Sequence, residues 1–125
     1  MDRNELEKFI MENYSASADY PWLMHPNYAV FRHSSNQKWF AVIMDVPKSK
    51  LRLQGEERTD VVNLKCDPIL IGSLLPEKGF FPAYHMSKDN WITVALDGTV
   101  PNDQLELLLD MSYQATAPKA RRRKC

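Results

Sequence analysis

His85, Lys88, Asn90 and Trp91 are the densest set of chemically capable side chains in this 125-residue chain. An imidazole, an ammonium, a carboxamide and an indole at this spacing can pair with a phosphate, read a hydrogen-bonding edge and stack on a planar base. They fall between two apolar runs, residues 80–86 and 91–96, joined by a polar stretch at 87–90 and closed by Asp97-Gly98. That pattern predicts a β-hairpin whose tip carries Lys88, exposed because burying its charge would be costly. Trp91 opens the second strand and could face either way, as a stacking platform beside Lys88 or as a core residue; it is expected to be mostly buried. A second tip is predicted upstream, between strand-like residues 28–33 and 38–46, with Arg32 and Lys38 at its ends.

Other chemistries find less support. His25, His33 and His85 are far apart, and neither HExxH nor CxxC occurs, so no metal ligand set is assigned. Cys66 lies on a presumed core face, where a thiol behaves as a small hydrophobe. There is no GxSxG elbow, the four glycines are scattered, and the Glu56-Glu57 pair sits in a polar loop. No catalytic residue and no cofactor is assigned, and the chain reads as non-enzymatic.

The elements that must position these residues can be read in order. Asp2 is an N-cap with Glu5 placed for a capping box, and Leu6, Phe9, Ile10 and Tyr14 recur at helical spacing, predicting a helix that ends by Ser15. Residues 19–27 hold two prolines yet carry Trp22, Leu23 and Met24, which predicts a loop packed over the core or an exposed apolar patch. Along residues 38–46, alternation places Phe40, Val42 and Met44 on one face and Trp39, Ala41 and Ile43 on the other, so a central strand covered on both sides is expected. Residues 47–60 read as a solvated loop or a strand extension through Leu51 and Leu53. Strand-like residues 61–66 follow, with Val62, Leu64 and Cys66 on one face. Asp67-Pro68 starts a short helix whose apolar side is Ile69, Leu70, Leu74 and Leu75. Val100-Pro101-Asn102-Asp103 opens the last helix, which should bury Leu105, Leu108, Leu109 and Ser112, widened by Leu107, Met111 and Ala115. The sum is an α+β fold of two layers, an antiparallel sheet with packed helices in the order α-β(3)-α-β(2)-α.

Hydrophobic content of 44% and charged content of 26% suit one globular domain, taken as residues 1–117. Formal net charge is zero, but five basic residues crowd into positions 119–124, so residues 1–118 carry 11 basic against 16 acidic groups, a charge of −5. Residues 118–125 are expected to form a basic, disordered tail, with Arg121, Arg122 and Arg123 as candidate phosphate contacts. An acidic body is not the footprint of an obvious DNA binder. No apolar run is long enough to span a bilayer, the N-terminus lacks a signal-peptide layout, and the two cysteines look unrelated, so a cytoplasmic protein with no membrane contact is expected.

The segment PAYHMSKDNWITVALDGTVP, followed by LLLDMSYQ, resembles the YjbR/MmcQ family of small bacterial proteins. The family pattern H-[LM]-x-K-x-x-W, then V-x-L-D-G with a proline soon after, then a Ser-Tyr helix, matches His85, Met86, Lys88, Trp91, Val94, Leu96, Asp97, Gly98, Pro101, Ser112 and Tyr113. The resemblance implies the fold stated above, similar in topology to secretion chaperones and often likened to frataxin, and a DNA-binding role through two hairpin wings. Iron binding by frataxin likeness would need an acidic ridge, and Glu5, Glu7 and Glu12 are too mixed with Arg3 and Lys8 to make one.

The leading expectation is therefore a non-enzymatic binding module that contacts DNA, weakly and in a salt-dependent way, through Arg32, Lys38, His85, Lys88, Asn90 and Trp91, together with the tail. The alternative is a protein-interaction or chaperone-like module using an exposed sheet face or the apolar patch at residues 22–24. A small-molecule pocket between sheet and helices is the third.

Overall fold

Asp2 caps the first helix as its sequence predicts: its carboxylate accepts the Glu5 N–H, and Glu5 returns a bond to the Asp2 N–H. In the computed structural model, which describes residues 1–118, the chain then runs α1 (Arg3–Asn13), β1 (Ala16–Asp19), β2 (Ala29–His33) and β3 (Trp39–Pro47). A 3-10 turn (Lys48–Leu51) leads to β4 (Arg58–Lys65), α2 (Pro68–Leu74), β5 (Phe80–Pro82), β6 (Trp91–Ala95) and α3 (Asn102–Thr116). The strands form one sheet in the order β1-β2-β3-β4-β6-β5, every neighbouring pair antiparallel. The α+β class and the two-layer arrangement are as expected. Among the described residues, four strands rather than three precede α2, because β1 adds an edge strand through backbone pairing with β2.

The helices bury their apolar faces against one side of the sheet. Leu6 and Ile10 of α1, Ile71 and Leu74 of α2, and Leu105, Leu108 and Leu109 of α3 meet Phe31, Ile43, Val62, Leu64, Ile92 and Val94. Cys66 joins this cluster, and burial pushes its thiol pKa up, as befits a packing residue. Three expectations need correction. Ile69, Leu75, Leu107, Met111 and Ala115 are exposed, and Ile71 does the inward work expected of Ile69. Leu51 is buried at the end of the 3-10 turn and Leu53 is exposed, so no strand runs through them. Phe40 does not share a face with Val42 and Met44: a register shift between Phe31 and Arg32 sets Ala41 opposite Phe31 and Trp39 opposite Arg32. Phe40 is the residue left over in that bulge, and it turns with Ala41 into the helix-side core.

Two polar groups tie α3 to the sheet. The Ser112 hydroxyl donates to the Phe40 carbonyl at 2.6 Å and accepts the Lys65 N–H at 2.9 Å, satisfying backbone groups that the bulge leaves without ladder partners. His33 is buried, hydrogen-bonded to Thr116 Oγ1 at 2.8 Å and packed on the Tyr113 ring at 4.1 Å between centroids. The Ser-Tyr pair of α3 is thus a structural anchor.

Burial lowers the His33 pKa from its ordinary 6.5. Between the folded value and 6.5 the unfolded chain therefore takes up a proton that the folded chain does not, and stability falls as pH drops through that window. Urea midpoints measured at pH values on either side of 6.5 should fall more steeply for the native chain than for His33→Gln. Parallel slopes would remove His33 as the source.

Candidate functional site

Among the described residues all three helices pack on one side of the sheet, and the other side is covered only by loops. Tyr28, Val30, Val42, Met44, Val46 and Val61 make a second apolar cluster there, with Trp22, Trp39, Tyr84 and Met86 laid on it. The central strand β3 is thus covered on both faces, as its two apolar faces predict.

Residues 20–28 fold across this side in two successive turns, His25 N–H to the Trp22 carbonyl and Tyr28 N–H to the His25 carbonyl. Trp22 packs edge-on against Trp39 and Tyr28, with centroids 5.7 and 5.9 Å away. Its neighbours Leu23 and Met24 are turned out, at 96% and 86% exposure. The loop therefore does both things expected of it, packing through Trp22 and exposing the next two side chains.

The second loop is longer than the tip read from the sequence. Pro82 has no N–H to extend the ladder, so β5 stops there and residues 83–90 form a loop back to β6. Its path is fixed by a buried polar relay: the Tyr84 N–H donates to Thr93 Oγ1 at 2.9 Å, the Thr93 hydroxyl to Asn63 Oδ1 at 2.5 Å, and Asn63 Nδ2 to the Tyr84 carbonyl at 2.9 Å. Asn63 and Thr93 are fully buried on strands β4 and β6, and this relay is their reason for being there. His85 follows with φ 63°, a left-handed conformation that turns the chain and sets its ring against Tyr84 at 3.9 Å between centroids.

Between the two loops lies a cavity of about 310 Å³. Trp22, Tyr28, Trp39 and Tyr84 are its aromatic walls, Val42 and Met44 of β3 its apolar floor, and His25, His85 and Met86 complete the lining. The His25 ring stacks nearly parallel on Tyr28 at 4.4 Å. The Tyr28 pKa is raised, first by burial and then by Tyr84 and Asp45, so its phenol stays a protonated donor. This volume and lining suit a small ligand.

The residues expected to contact nucleic acid are partly dispersed. Antiparallel register puts the β2–β3 turn and loop 83–90 at the same end of the sheet, since Arg32 lies opposite Trp39, Ala41 opposite Leu64, and Lys65 opposite Trp91. Arg32 is bound to Asp19 at 3.0 Å, and its guanidinium lies 5.4 Å from the Trp39 centroid, so it is not a free cation. Lys38 is exposed, as expected. Lys88 is exposed too, but its ammonium donates to the Ala83 carbonyl at 3.0 Å and braces the loop. The Asn90 side chain is exposed while its carbonyl accepts the Cys66 N–H at 2.8 Å. Trp91 is half-buried rather than mostly buried, with Lys65 Nζ 5.8 Å from its centroid. His85 is exposed and lines the aromatic cavity, of which Trp91 is not a part. Arg121, Arg122 and Arg123 lie outside the described residues.

What results is a cross-strand row, Arg32, Trp39, Lys65 and Trp91, in which cations alternate with indoles at one end of the helix-free face. A shallow groove lined by Lys38, Trp39, Lys65 and Trp91, and by Ala115 and Thr116 of α3, runs along it, where that face meets the end of the last helix. Sequence reading missed Lys65, Tyr28, Trp39 and Tyr84 as site residues, and named Trp22 only as part of an apolar patch for a protein partner. The available signal was an apolar loop tripeptide at 22–24 and a strand, residues 38–46, apolar on both faces. Among the described residues no group of three or more His, Cys, Asp or Glu side chains is placed to hold a metal ion, and no helix is long and apolar enough to cross a membrane.

The sequence matches the YjbR family model over residues 11–115. It is 40% identical over 116 residues to the uncharacterised protein YyaQ of Bacillus subtilis (strain 168), covering 93% of this chain and 98% of that one. A shorter match of 59 residues, 39% identical, joins it to the uncharacterised protein YjbR of Escherichia coli (strain K12), covering 46% of this chain and 50% of that one. A crystal structure of a protein from Pseudomonas syringae is similar with a TM-score of 0.91 and 43% identity, covering 94% of this chain and 100% of that one. A Deinococcus radiodurans protein is similar at a TM-score of 0.72 and 26% identity, over 98% of this chain and 86% of the other.

Proposed function

We propose, from the premise that this chain belongs to the YjbR family, that it is a non-catalytic binding protein whose recognition surface is the helix-free face of its sheet. The observation that carries this reading is the 310 Å³ cavity walled by Trp22, Tyr28, Trp39 and Tyr84. Each wall is held by something else: Trp39 by β3, Tyr28 by the start of β2, Tyr84 by the Asn63–Thr93 relay, Trp22 by the turns of its loop. A site already in its bound shape avoids the cost of ordering side chains on association. The cavity offers stacking surfaces and two imidazoles, with no carboxylate, thiol or aliphatic hydroxyl in its lining, which favours binding over group transfer.

The row Arg32, Trp39, Lys65 and Trp91, with Lys38 beside it, favours a second reading, contact with a single nucleic-acid strand by base stacking and phosphate pairing. This is the hairpin-wing reading with Lys65 and Trp39 added and with Arg32 already neutralised by Asp19. One experiment separates the two. The chain has three tryptophans, Trp22 in the cavity, Trp91 in the hairpin-end groove and Trp39 shared by both, so the Trp22 and Trp91 indole N–H signals in a proton–nitrogen correlation spectrum report the two places independently. A library of small aromatic and cationic fragments should shift Trp22 and Trp39 and leave Trp91 in place. An oligonucleotide that shifts Trp91 while no fragment shifts Trp22 would transfer the function to the hairpin end. Repeating the oligonucleotide titration on a chain shortened after Pro118 separates the row from Arg121, Arg122 and Arg123, whose contribution should fall steeply with salt.

A further inference from the structure

We infer that the aromatic cavity takes a methylated ammonium group carried by a small organic molecule, an inference that rests on the cavity being the recognition site. The angles between its walls carry the choice of ligand. Trp22 stands at 79° to Trp39 and at 73° to Tyr28. Walls at right angles make a corner, which encloses a compact, roughly tetrahedral group on several sides. The near-parallel pair in the lining, His25 on Tyr28, is in contact at 4.4 Å between centroids and leaves no slot between its rings for a flat heteroaromatic group.

The electrostatics agree with the shape. Ring faces carry the negative end of the aromatic quadrupole and attract a cation held above them, most strongly when the cation sheds its water cheaply, as a methylated ammonium does. The same fold already uses this attraction next door, where the Arg32 guanidinium lies over Trp39. Neither Lys nor Arg lines the cavity, and residues 1–118 carry a formal charge of −5, so a cation approaches a body of opposite sign. The cavity is larger than the ammonium head alone requires. The remaining space over Val42 and Met44 receives the carbon chain that bears the head.

The test uses choline, its neutral tert-butyl analogue, which has the same shape without the charge, and ethanolamine, which has the charge without the methyl groups. Each is titrated into the full chain while the Trp22, Trp39 and Trp91 indole signals are followed. Choline should shift Trp22 and Trp39 and bind about tenfold or more tightly than either comparator, the scale expected of a partly desolvated cation over several rings. Trp22→Leu should abolish that preference, and Trp22→Phe, which restores a ring, should recover part of it. Equal binding of choline and its neutral analogue would overturn the cation inference while leaving the cavity as a binding site. Indole or adenosine shifting the cavity signals where choline does not would do the same. Cavity signals unmoved by any of these compounds and by the wider fragment library would overturn both this inference and the proposed recognition face.

Discussion

Phe40→Ala is expected to cost about 3–5 kcal/mol, among the largest single losses available to this fold. The side chain is fully buried, and its ring meets those of Tyr113 at 4.9 Å, His33 at 5.2 Å and Tyr14 at 6.1 Å between centroids. Alanine would open a cavity where α1, α3 and the β2–β3 hairpin converge, and aromatic pairs add to the loss beyond the area they bury. The bulge makes the site unable to collapse, because the Phe40 backbone is pinned by the Ser112 hydroxyl. A domain of this kind is stable by roughly 5–15 kcal/mol, so the variant should melt on the order of 10–20 °C lower. Thermal unfolding followed by circular dichroism checks it. Ser112→Ala supplies the internal comparison, since it leaves the Phe40 carbonyl and the Lys65 N–H without their partner and should cost about 1–3 kcal/mol. A Phe40→Ala protein melting within a degree or two of the native chain would mean that the aromatic knot does not hold α3 to the sheet.

The same residue shows where sequence reading worked and where it stopped. Apolar spacing identified the elements because burial on one face is a periodic property, legible from the chain alone: Leu6 and Ile10, then Leu105, Leu108, Leu109 and Ser112, are buried as their spacing requires. Caps were equally legible at Asp2 and Asp67, where a single side chain meets a backbone group a few residues away. A bulge is different. It depends on how two strands align, and no pattern within residues 38–46 says that one residue will be left over, so Phe40 was assigned to the wrong face. The strand at residues 16–19 escaped for a related reason. Ala-Ser-Ala-Asp has little apolar side chain to alternate, and β1 exists because the edge of β2 offers backbone partners. Residues 83–86 look strand-like by composition, yet Pro82 ends the pairing and Thr93 captures the Tyr84 N–H that would have continued it. The cavity was beyond reach from the sequence, because Trp22, Trp39 and Tyr84 come from three separate segments and meet only on the uncovered side of the sheet.

Asn63→Leu is expected to uncouple the cavity from the fold that supports it. Leucine matches asparagine in size but neither donates to the Tyr84 carbonyl nor accepts the Thr93 hydroxyl, both of which lie where water does not reach freely. Leaving these groups unsatisfied should cost about 1–3 kcal/mol in global stability. The functional loss should be disproportionate. With Asn63 gone, the relay keeps only the Tyr84 N–H to Thr93 bond, and loop 83–90 is otherwise held by the Cys66–Asn90 backbone bond and its own internal bonds from Lys88 and Trp91, so Tyr84 and His85 keep their place in the cavity lining less firmly. Amide exchange in residues 83–90 should accelerate while exchange in β3 and α3 changes only by the global destabilisation, the behaviour of a segment released locally. Ligand-induced shifts at Trp22 and Trp39 should weaken by more than the loss of folded protein explains. Thr93→Val, which removes the hydroxyl that bridges the Tyr84 N–H to Asn63, should reproduce the effect, and the two substitutions together should cost less than their sum because they break one network. Unchanged exchange in the loop of an otherwise destabilised Asn63→Leu protein would show that the relay stabilises the strands and leaves the cavity to be shaped by its aromatic contacts alone.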